Sequence, residues 1–452
     1  MRTVPTSDLV DLVERRVLSL TPPQAIFASF IGLALIGTLL LMLPAASTAS
    51  TSWSQALFTA VSASTVTGLV VVDIGTHFTV FGQLILLALM QLGGLGLMTF
   101  GVFIISLARN RLNLGQRAVM REALNQSGSG DMRNLLRRMF AFTFVMEALG
   151  TLLLATHWVP RLGWGEGLYH SFFNAIAAFN NAGFVLDATG LMNEVGSPIV
   201  NIAITGLILC GGIGFVVVAD MVDKRRFTDY TLHTKLMLVG TVVLSVLGMA
   251  VLFVLEYDNP ATLGGLPDLP TRLWASWFAS VTPRSGGFNT IDTGALTDAS
   301  TLFVMVLMFI GAGAGSTAGG IKLTTFIVMV LTVRAFLLGH ERPVVFGRSL
   351  DYGIIIRALT VSIMWLLAVI IGTFILTISE SAGFVDIAFE VTSAAATVGL
   401  SRGLTPELSP VGQAVIMILM VLGRAGPLAL AFVLVHRHAS RIQYPAGQVN
   451  LG

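Results

Sequence analysis

One short glycine motif occurs four times along the chain, and this repetition constrains the fold more than any other feature. Each copy places a glycine between small or polar residues and a leucine or phenylalanine, in "TVTGL", "NNAGF", "RSGGF" and "TVGLS". The glycines are Gly68, Gly183, Gly287 and Gly399, spaced 115, 104 and 112 residues apart. Because these spacings are close to a quarter of the 452 residues, the sequence predicts four copies of one structural unit.

Long apolar segments surround the four motifs. Several reach the roughly 20 residues that a helix needs to cross the hydrocarbon core of a bilayer, and examples are 25–43, 80–108, 199–219, 236–255 and 411–435. The chain is 54% hydrophobic and only 11% charged, whereas a soluble protein carries about 25% charged residues. Since a backbone in lipid must be hydrogen-bonded internally, the sequence predicts an all-α integral membrane protein.

Each unit is predicted to contain a spanning helix, a shorter helix, the glycine motif and a second spanning helix. The first spanning helices are predicted near 24–44, 138–158, 234–256 and 354–378, and the second near 79–107, 197–219, 300–337 and 409–436. The shorter segments are "WSQALFTAVSAS", "LYHSFFNAIAAF", "RLWASWFASVTP" and "VDIAFEVTSAAA". Because apolar segments of this length are typical of re-entrant helices, we expect eight spanning and four re-entrant pore helices around a pseudo-fourfold central pore.

The charged residues agree with this topology. The segments 1–20, 106–138, 219–235, 334–357 and 437–452 hold 20 of the 26 lysines and arginines. Positively charged loops remain on the cytoplasmic side of a membrane, which predicts cytoplasmic termini and glycine motifs that open outward. The chain then divides into a cytoplasmic N-terminal segment (1–20), four units (21–110, 111–225 with a cytoplasmic linker, 226–345 and 346–440) and a C-terminal tail (441–452).

The four glycine motifs predict a cation filter. Irregular backbone at membrane depth is found where it is buried in protein or lines a water-filled path, and glycine can turn successive carbonyls toward that path. Rings of carbonyl oxygens replace the hydration shell of an ion, and the negative ends of the short helices favour a cation. The simpler alternative is that the glycines only form turns. The candidate residues are Val66, Thr67, Gly68, Asn181, Ala182, Gly183, Ser285, Gly286, Gly287, Thr397, Val398 and Gly399.

The segment "GAGAGSTAGGIK" interrupts an apolar stretch that is too long for one span. Its glycines disfavour a helix, so we expect an intramembrane loop at 311–321, although a purely structural helix break is the alternative. Its glycine pattern resembles nucleotide-binding motifs, but it follows no strand of a βαβ unit, so nucleotide binding is not expected here. The candidate gate residues are Gly311, Gly313, Gly315, Ser316, Thr317, Gly319, Gly320, Lys322 and Arg424.

Four ionisable residues lie in apolar surroundings. Arg424 lies deep in the last spanning helix, where an arginine is costly and usually functional, and beside the pore axis it would repel cations. Lys322 could reach water near the end of its half-helix. Glu147 is expected to pair with a neighbouring helix, and Glu390 to support the filter from within the fourth short helix. The histidines lack metal-ligand spacing and no nucleophile–base pattern occurs, so we expect no enzyme.

The sequence resembles the Trk/Ktr/HKT superfamily of cation transporters, and is most similar to the bacterial Ktr-type potassium-translocating membrane subunits. The motifs that carry the resemblance are "STVTGL", "FNNAGF", "SGGFNT", "GAGAGSTAGGIKLTT" and "YPAGQVNLG", and it covers nearly the whole chain. It implies a potassium-channel-like fold, and selectivity for potassium because all four motif positions are glycine. A serine at the first position is associated with sodium-permeable members. It also implies a loop that blocks the pore with Arg424 and moves on activation.

The resemblance also implies partners. We expect a homodimer with one pore per protomer, packed through the tail 441–452, in the bacterial plasma (inner) membrane. A cytosolic ring of regulatory subunits that bind ATP, ADP or NAD(H) is the expected partner, and the basic segment 109–138 could dock it. Potassium is the expected cargo and sodium a candidate activator. No nucleic-acid partner is expected.

Several alternatives remain at this point. A Trk-type subunit of the same superfamily is disfavoured because the chain starts directly with the first unit, without an extra N-terminal helix pair. A less selective sodium/potassium transporter is a second alternative. A secondary transporter of organic solutes would show inverted repeats, whereas these four units share one orientation. A membrane enzyme would need paired carboxylates, histidine clusters or an activated serine in the cavity segments.

Overall fold

A computed structural model describes residues 22–96 and 132–426 of the chain, and these are predominantly helical. The helices are α1 (Pro22–Leu41), α2 (Trp53–Ser64), α3 (Val80–Leu95), α4 (Met132–Leu162), α5 (Trp164–Phe179), α6 (Pro198–Gly212), α7 (Phe215–Asp223), α8 (Leu232–Glu256), α9 (Leu269–Val281), α10 (Asp298–Phe309), α11 (Leu323–Leu337), α12 (Tyr352–Ser379), α13 (Phe384–Ala395) and α14 (Pro410–Ala425). Single helical turns occur at Ile74–His77, Met192–Glu194, Phe227–Asp229, Leu263–Gly265, Thr293–Ala295 and Thr405–Glu407.

Four of the described helices are long and apolar enough to cross a membrane. Their apolar spans are Gln24–Leu41, Leu136–Leu162, Leu232–Glu256 and Tyr352–Ser379. They lie where the sequence predicts the first spanning helix of each unit. The short helices α2, α5, α9 and α13 follow them and match the four predicted 12-residue segments to within a few residues. The helical class is therefore as predicted, while the count of eight spans stays a prediction.

The predicted second spanning helix of the second unit differs from the structure, whereas the interruption expected in the third unit is present. The helix predicted at 197–219 is broken, because α6 and α7 meet at an angle of 92°. The bend lies at Ile213 and Gly214, and Gly214 has a φ of +99° that suits glycine alone. The stretch predicted at 300–337 is split into α10 and α11 by residues 310–322. Thus both units place irregular backbone between two short helices.

In the first and fourth units, the second helices α3 and α14 are described as far as Leu95 and Ala425. The remainder of the predicted spans 79–107 and 409–436 lies outside the described residues. The same holds for the segment 1–20, most of the basic segment 109–138 and the tail 441–452. The predictions made for these segments are therefore retained as predictions.

Hydroxyl side chains begin the second helix of every unit. Thr79, Ser197, Thr297 and Ser409 each accept a hydrogen bond from the backbone N–H three residues later, at 3.3, 3.4, 3.3 and 3.1 Å. Such caps satisfy amide hydrogens that a helix leaves unpaired at its start. Proline follows the cap in α6 and α14, where its missing N–H costs nothing. The repeated cap fixes the same starting point for these helices in all four units.

The short helices form the core of the molecule. Each carries a fully buried phenylalanine at a corresponding position, namely Phe58, Phe173, Phe278 and Phe389. The long helices are much less buried, and only 17% of the apolar spans of α8 and α12 is covered by protein. Their outer faces expose large apolar side chains such as Leu247 and Phe374, which lipid would solvate. The short helices that lead into the glycine motifs are thus shielded by the rest of the protein.

A two-stranded hairpin, which the sequence does not predict, follows α11. Its strands are β1 (Val344–Val345) and β2 (Arg348–Ser349), paired antiparallel with Val345 opposite Arg348. The connecting residues Phe346 and Gly347 both have positive φ, at +48° and +72°. Positive φ at both central residues is the feature of the type I′ turn that joins tight hairpins.

Candidate functional site

The four motif glycines meet one another in chain order. A Cβ atom at Gly68 would lie 2.4 Å from Ala182 O, and one at Gly183 would lie 2.8 Å from the Cα of Gly287. A Cβ at Gly287 would lie 2.4 Å from Val398 O, and one at Gly399 would lie 2.1 Å from Thr67 O. Each segment therefore contacts the next, and the fourth contacts the first. We call residues 66–68, 181–183, 285–287 and 397–399 the glycine ring.

The backbone of the ring follows one pattern. Positive φ occurs at each motif glycine and also two residues before it, at Val66, Asn181, Ser285 and Thr397, with φ of +51°, +57°, +75° and +49°. These are unfavourable conformations for residues with a side chain, above all for the β-branched Val66 and Thr397. Four repeated outliers at one place indicate a geometry that the surrounding structure imposes.

Helix capping explains the pattern in three units. The N–H of Val66 bonds to Ala63 O at 3.2 Å, and the N–H of Thr67 bonds to Ser62 O at 2.8 Å. The N–H groups of Asn181 and Ala182 in the second unit, and of Thr397 and Val398 in the fourth, donate to the carbonyls three and five residues earlier in the same way. This pairing is the Schellman motif, in which a left-handed residue ends a helix. The amide hydrogens of the ring thus bond to the helix ends.

The third unit ends its helix differently. The N–H groups of Gly286 and Gly287 both bond to Thr282 O, at 2.7 and 3.3 Å. The Thr282 hydroxyl in turn donates to Phe288 O at 2.6 Å. The ring is therefore only pseudo-symmetric. In the other three units, the carbonyls of Thr67, Ala182 and Val398 are the groups that approach the glycine of a neighbouring segment.

Two serines at the ring were not singled out by sequence analysis. Ser62 Oγ accepts the N–H of Gly68 and Ser393 Oγ accepts the N–H of Gly399, both at 3.1 Å. Each serine lies six residues before its glycine, in "SASTVTG" and "SAAATVG". This equal spacing is the sequence signal that could have identified them. They satisfy a buried backbone donor that would otherwise remain unpaired.

Residues 310–322 form the interrupted segment between α10 and α11. Its backbone pairs with the bend between α6 and α7 through three hydrogen bonds. Gly313 N donates to Gly212 O (2.7 Å), Phe215 N to Gly315 O (3.0 Å) and Thr317 N to Gly211 O (3.2 Å). Within the segment, Ser316 Oγ donates to Gly313 O at 2.7 Å. A Cβ at Gly311 would lie 2.6 Å from Gly319 O. The segment is thus a compact, hydrogen-bonded loop.

This loop contacts three segments of the glycine ring. Asn181 Nδ2 donates to Thr317 Oγ1 at 2.7 Å, and Thr317 Oγ1 donates to Phe179 O at 3.1 Å. Ser285 Oγ accepts from the N–H of Gly319 at 3.2 Å and donates to Thr397 O at 2.8 Å. A Cβ at Gly319 would meet Thr397 Oγ1, so the loop lies against the second, third and fourth segments.

Arg424 connects the loop to the first unit. One guanidinium nitrogen donates to Thr317 O, and the other donates to Gly93 O and Gly94 O, at 2.5 and 2.8 Å. The planar group of an arginine can serve two sites at once. Lys322 Nζ donates to Ala318 O at 2.8 Å. Between these two residues the chain turns at Gly320, which has a φ of +70°. Two cationic side chains are therefore bound to carbonyls of the loop.

Both glutamates considered in the sequence are buried. Glu147 accepts from Asn180 Nδ2 and Gln91 Nε2, each at 3.2 Å. It joins α4 to α3 and to the residue that precedes the second segment of the ring. Glu390 is fully buried in α13 and accepts from the hydroxyls of Ser401, at 2.7 Å, and Thr405. Across residues 22–96 and 132–426, no group of histidine, cysteine and acidic residues has metal-binding geometry.

Comparison with known proteins identifies the family of this chain. The profile of the TrkH family, described as cation transport protein, matches residues 16–443. The chain is 49% identical over 432 residues to the Ktr system potassium uptake protein B of Bacillus subtilis, covering 96% of this chain and 97% of that protein. It is 34% identical to the potassium/sodium uptake protein NtpJ of Enterococcus hirae, covering 98% and 100%.

A solved structure shares the fold. The crystal structure of the potassium transporter TrkH from Vibrio parahaemolyticus superposes with a TM-score of 0.71 at 16% identity, covering 91% of this chain and 84% of that chain. The matches in sequence and in fold agree with each other over nearly the full length. The chain therefore belongs to the TrkH family of cation transport proteins.

Proposed function

We propose that this protein takes up potassium across the bacterial plasma membrane through the glycine ring. The observation that carries the proposal is the contact of the four ring segments in chain order, with carbonyls at the contacts. Carbonyl oxygens can replace the hydration shell of an ion without a fixed charge. The partly negative C-terminal ends of α2, α5, α9 and α13 lead into the ring, which favours a cation.

The loop 310–322 supplies the gate in this proposal. It lies against three ring segments, and Arg424 holds it to α3. A positive side chain beside the pore opposes the passage of cations. Opening requires that the bond between Arg424 and Thr317 O breaks and that the loop moves away from the ring. The small residues of the loop allow such a change without displacing bulky side chains.

The full architecture belongs to the same proposal. Four units with eight spanning and four re-entrant helices would surround one pore, with both termini in the cytoplasm. The protein would form a homodimer controlled by a cytosolic ring of subunits that bind ATP, ADP or NAD(H). The relatives described as belonging to a Ktr system support the presence of a partner. Sodium would act as an activator of potassium uptake, as expected for a Ktr-type system.

Less selective transport of sodium and potassium is the second candidate function. It is favoured by the 34% identity to the potassium/sodium uptake protein of Enterococcus hirae. The presence of glycine at all four motif positions supports the potassium-selective alternative, because a side chain at any of them would displace backbone atoms of a neighbouring ring segment.

Uptake of rubidium, a potassium analogue, tests both candidates in a bacterial strain that lacks its own potassium uptake systems. Sodium is added as competitor, and wild type is compared with Gly68→Ser. A serine at this position would displace Ala182 O, so we expect the preference for rubidium over sodium to fall by about tenfold. Efficient competition by sodium in wild type would favour the less selective function.

Gly163→Ser is the matched control. Gly163 also has positive φ, at +83°, but a Cβ there would meet no atom within 4 Å. Both substitutions therefore impose similar backbone strain, and only one disturbs the ring. We expect Gly163→Ser to retain the wild-type preference. The filter proposal fails if Gly68→Ser is produced normally and retains both the rate and the preference of wild type.

A further inference from the structure

Glu390 lies behind the fourth segment of the glycine ring. It is 0% exposed and lies on α13, the short helix that leads into this segment. Its carboxyl group accepts the hydroxyls of Ser401 and Thr405, which lie on the chain that leaves Gly399. The glutamate thus joins the helix that enters the segment to the chain that departs from it.

The fourth segment is anchored on both sides by the same helix. Before the glycine, Ser393 Oγ on α13 accepts the N–H of Gly399 at 3.1 Å. After the glycine, Glu390 accepts the hydroxyls of Ser401 and Thr405, which lie two and six positions beyond Gly399. The peptide that joins Val398 to Gly399 lies at the first of these anchors. It places Val398 O against Gly287, and Gly399 is itself approached by Thr67 O. Its position therefore affects contacts with both neighbouring segments.

Within the described residues, the corresponding position in the other three units makes no such contact, although in the third unit the Thr282 hydroxyl at the end of α9 donates to Phe288 O just after Gly287. The residue after the buried phenylalanine of the short helix is Thr59, Asn174 or Ala279 in these units, and Glu390 in the fourth. Thr59 Oγ1 has no hydrogen-bond partner within the described ranges, and Asn174 Nδ2 bonds to His170 O of its own helix. Only Glu390 among them reaches the departing chain.

Nearby charges do not account for the position of Glu390. Arg402 pairs with Asp386, one turn earlier on α13, at 2.6 Å, and also donates to Thr301 Oγ1 at 2.8 Å. Among the ion pairs of residues 22–96 and 132–426, none includes Glu390. Burying a carboxyl group is costly unless its hydrogen bonds are well formed. Its two hydroxyl partners are therefore the contacts that hold it in place.

We propose that Glu390 is a positioning residue for cation selection, which acts by fixing the chain on either side of Gly399. This inference rests on the proposed filter function of the glycine ring. Loss of the two hydroxyl contacts would leave residues 401–405 joined to α13 through the ion pair of Arg402 with Asp386 alone. The carbonyl of Val398 would then be fixed less closely relative to the third segment, because only the Ser393 side of the anchor remains. A ring of less defined carbonyl positions discriminates less between ions of different size.

The test compares side chains of similar length at this position. Glu390→Met removes both hydrogen bonds with little change in volume, whereas Glu390→Gln keeps two polar atoms toward hydroxyls that can rotate to donate or accept. We expect Glu390→Met, which removes both bonds, to lower the ratio of rubidium to sodium uptake by about tenfold, equivalent to about 1.4 kcal/mol of discrimination. Glu390→Gln should remain within about twofold of wild type by the same argument.

Glu256→Met provides the matched control. Glu256 is 1% exposed and also accepts two threonine hydroxyls, from Thr262 at 2.6 Å and Thr297 at 2.7 Å. It lies at the end of α8, outside the glycine ring. We expect this variant to lower the midpoint of thermal unfolding in detergent without changing the uptake ratio. A general effect of losing a buried carboxyl group is thereby separated from an effect on selection.

The proposal is overturned if folded Glu390→Met has the wild-type uptake ratio. Should this variant not accumulate, Ser401→Ala and Thr405→Val each remove one contact and leave α13 intact, and an unchanged ratio in both overturns it. Gly68→Ser is measured in parallel. If it shifts the ratio while the Glu390 set does not, only the positioning role is rejected. If it also leaves the ratio unchanged, the filter function itself is rejected.

Discussion

Individual residues of the glycine ring adopt conformations that cost energy in isolation. A left-handed conformation costs a residue with a side chain roughly 1–2 kcal/mol, and Val66 and Thr397 are both β-branched residues with positive φ. Both are fully buried, and their N–H groups bond to the preceding helix. The surrounding packing and hydrogen bonds therefore maintain the strain. The sequence could not predict this, because glycine is the residue expected at such positions.

Arg424 carries a prediction at the scale of one residue. Arg424→Ala removes three hydrogen bonds to the carbonyls of Thr317, Gly93 and Gly94. Because these bonds hold the gate loop to α3, we expect rubidium uptake in the absence of the regulatory partner to rise by roughly tenfold. Arg424→Lys should give a smaller rise, since one ammonium group cannot replace a guanidinium that serves two sites.

Arg161→Ala is the control for this prediction. Arg161 pairs with Glu194 at 2.8 Å, and its side chain is 56% exposed. Its loss should leave partner-independent uptake unchanged, because exposed ion pairs contribute little. Unchanged uptake in a normally produced Arg424→Ala protein would contradict the role of this arginine in the gate.

At the scale of elements, the bend between α6 and α7 depends on Gly214. A Cβ there would lie 2.6 Å from Ala314 O of the gate loop, and the φ of Gly214 is +99°. We expect Gly214→Ala to lower the free energy of unfolding by about 1–3 kcal/mol, because it adds backbone strain and a steric clash. The measurement is the midpoint of thermal or urea unfolding in detergent.

Gly206→Ala on α6 is the corresponding control. Its Cβ would meet no atom within 4 Å, and its φ is not positive. Alanine in a helix interior is favoured over glycine by up to about 1 kcal/mol. We therefore expect Gly206→Ala to be neutral or stabilising. If Gly214→Ala and Gly206→Ala have equal stability, the bend does not depend on glycine at 214.

The elements also show how much of this structure the sequence determines. The short helix Trp53–Ser64 was predicted to the residue, because a polar segment precedes it and the glycine motif ends it. The bend after Gly212 was missed, although "CGGIGF" contains three glycines among six residues. A glycine cluster inside an apolar stretch is compatible with close helix packing as well as with a break. Only the partner backbone, residues 313–317, distinguishes the two.

The sequence predicts which residues form the candidate site, but it does not predict the hydrogen bonds between them. Repetition of one motif identified all four ring segments, because units in one chain can be compared with each other. The bond between Asn181 and Thr317 joins residues 136 positions apart, and no local pattern encodes such a pairing. The same holds for the reach of Arg424 to Gly94.

For the whole molecule, the proposed orientation in the membrane predicts which surfaces are accessible from outside the cell. The natural chain has one cysteine, Cys210. Cysteine is introduced in place of Glu166, at the exposed start of α5, or of Ser349, in the exposed hairpin. A membrane-impermeant maleimide on intact cells should label Glu166→Cys and not Ser349→Cys, because the glycine motifs are expected to open outward.

Two controls complete this experiment. Permeabilised cells should label both variants, and the natural protein should show how far Cys210 reacts under each condition. Labelling of Ser349→Cys in intact cells, with Glu166→Cys protected, would reverse the proposed orientation. Labelling of both in intact cells would contradict a membrane barrier between the two positions.

The pairing between the gate loop and the helix bend has a consequence for hydration. Gly211, Gly212 and Phe215 share three backbone hydrogen bonds with residues 313–317, and a buried backbone group left unpaired is costly. If the loop moves alone, these groups must find other partners, and water is the partner that an open pore supplies. Opening would then wet the space between two units of the protein. If the loop is the gate, as proposed, activation would exchange these hydrogen bonds within the protein for hydrogen bonds to solvent.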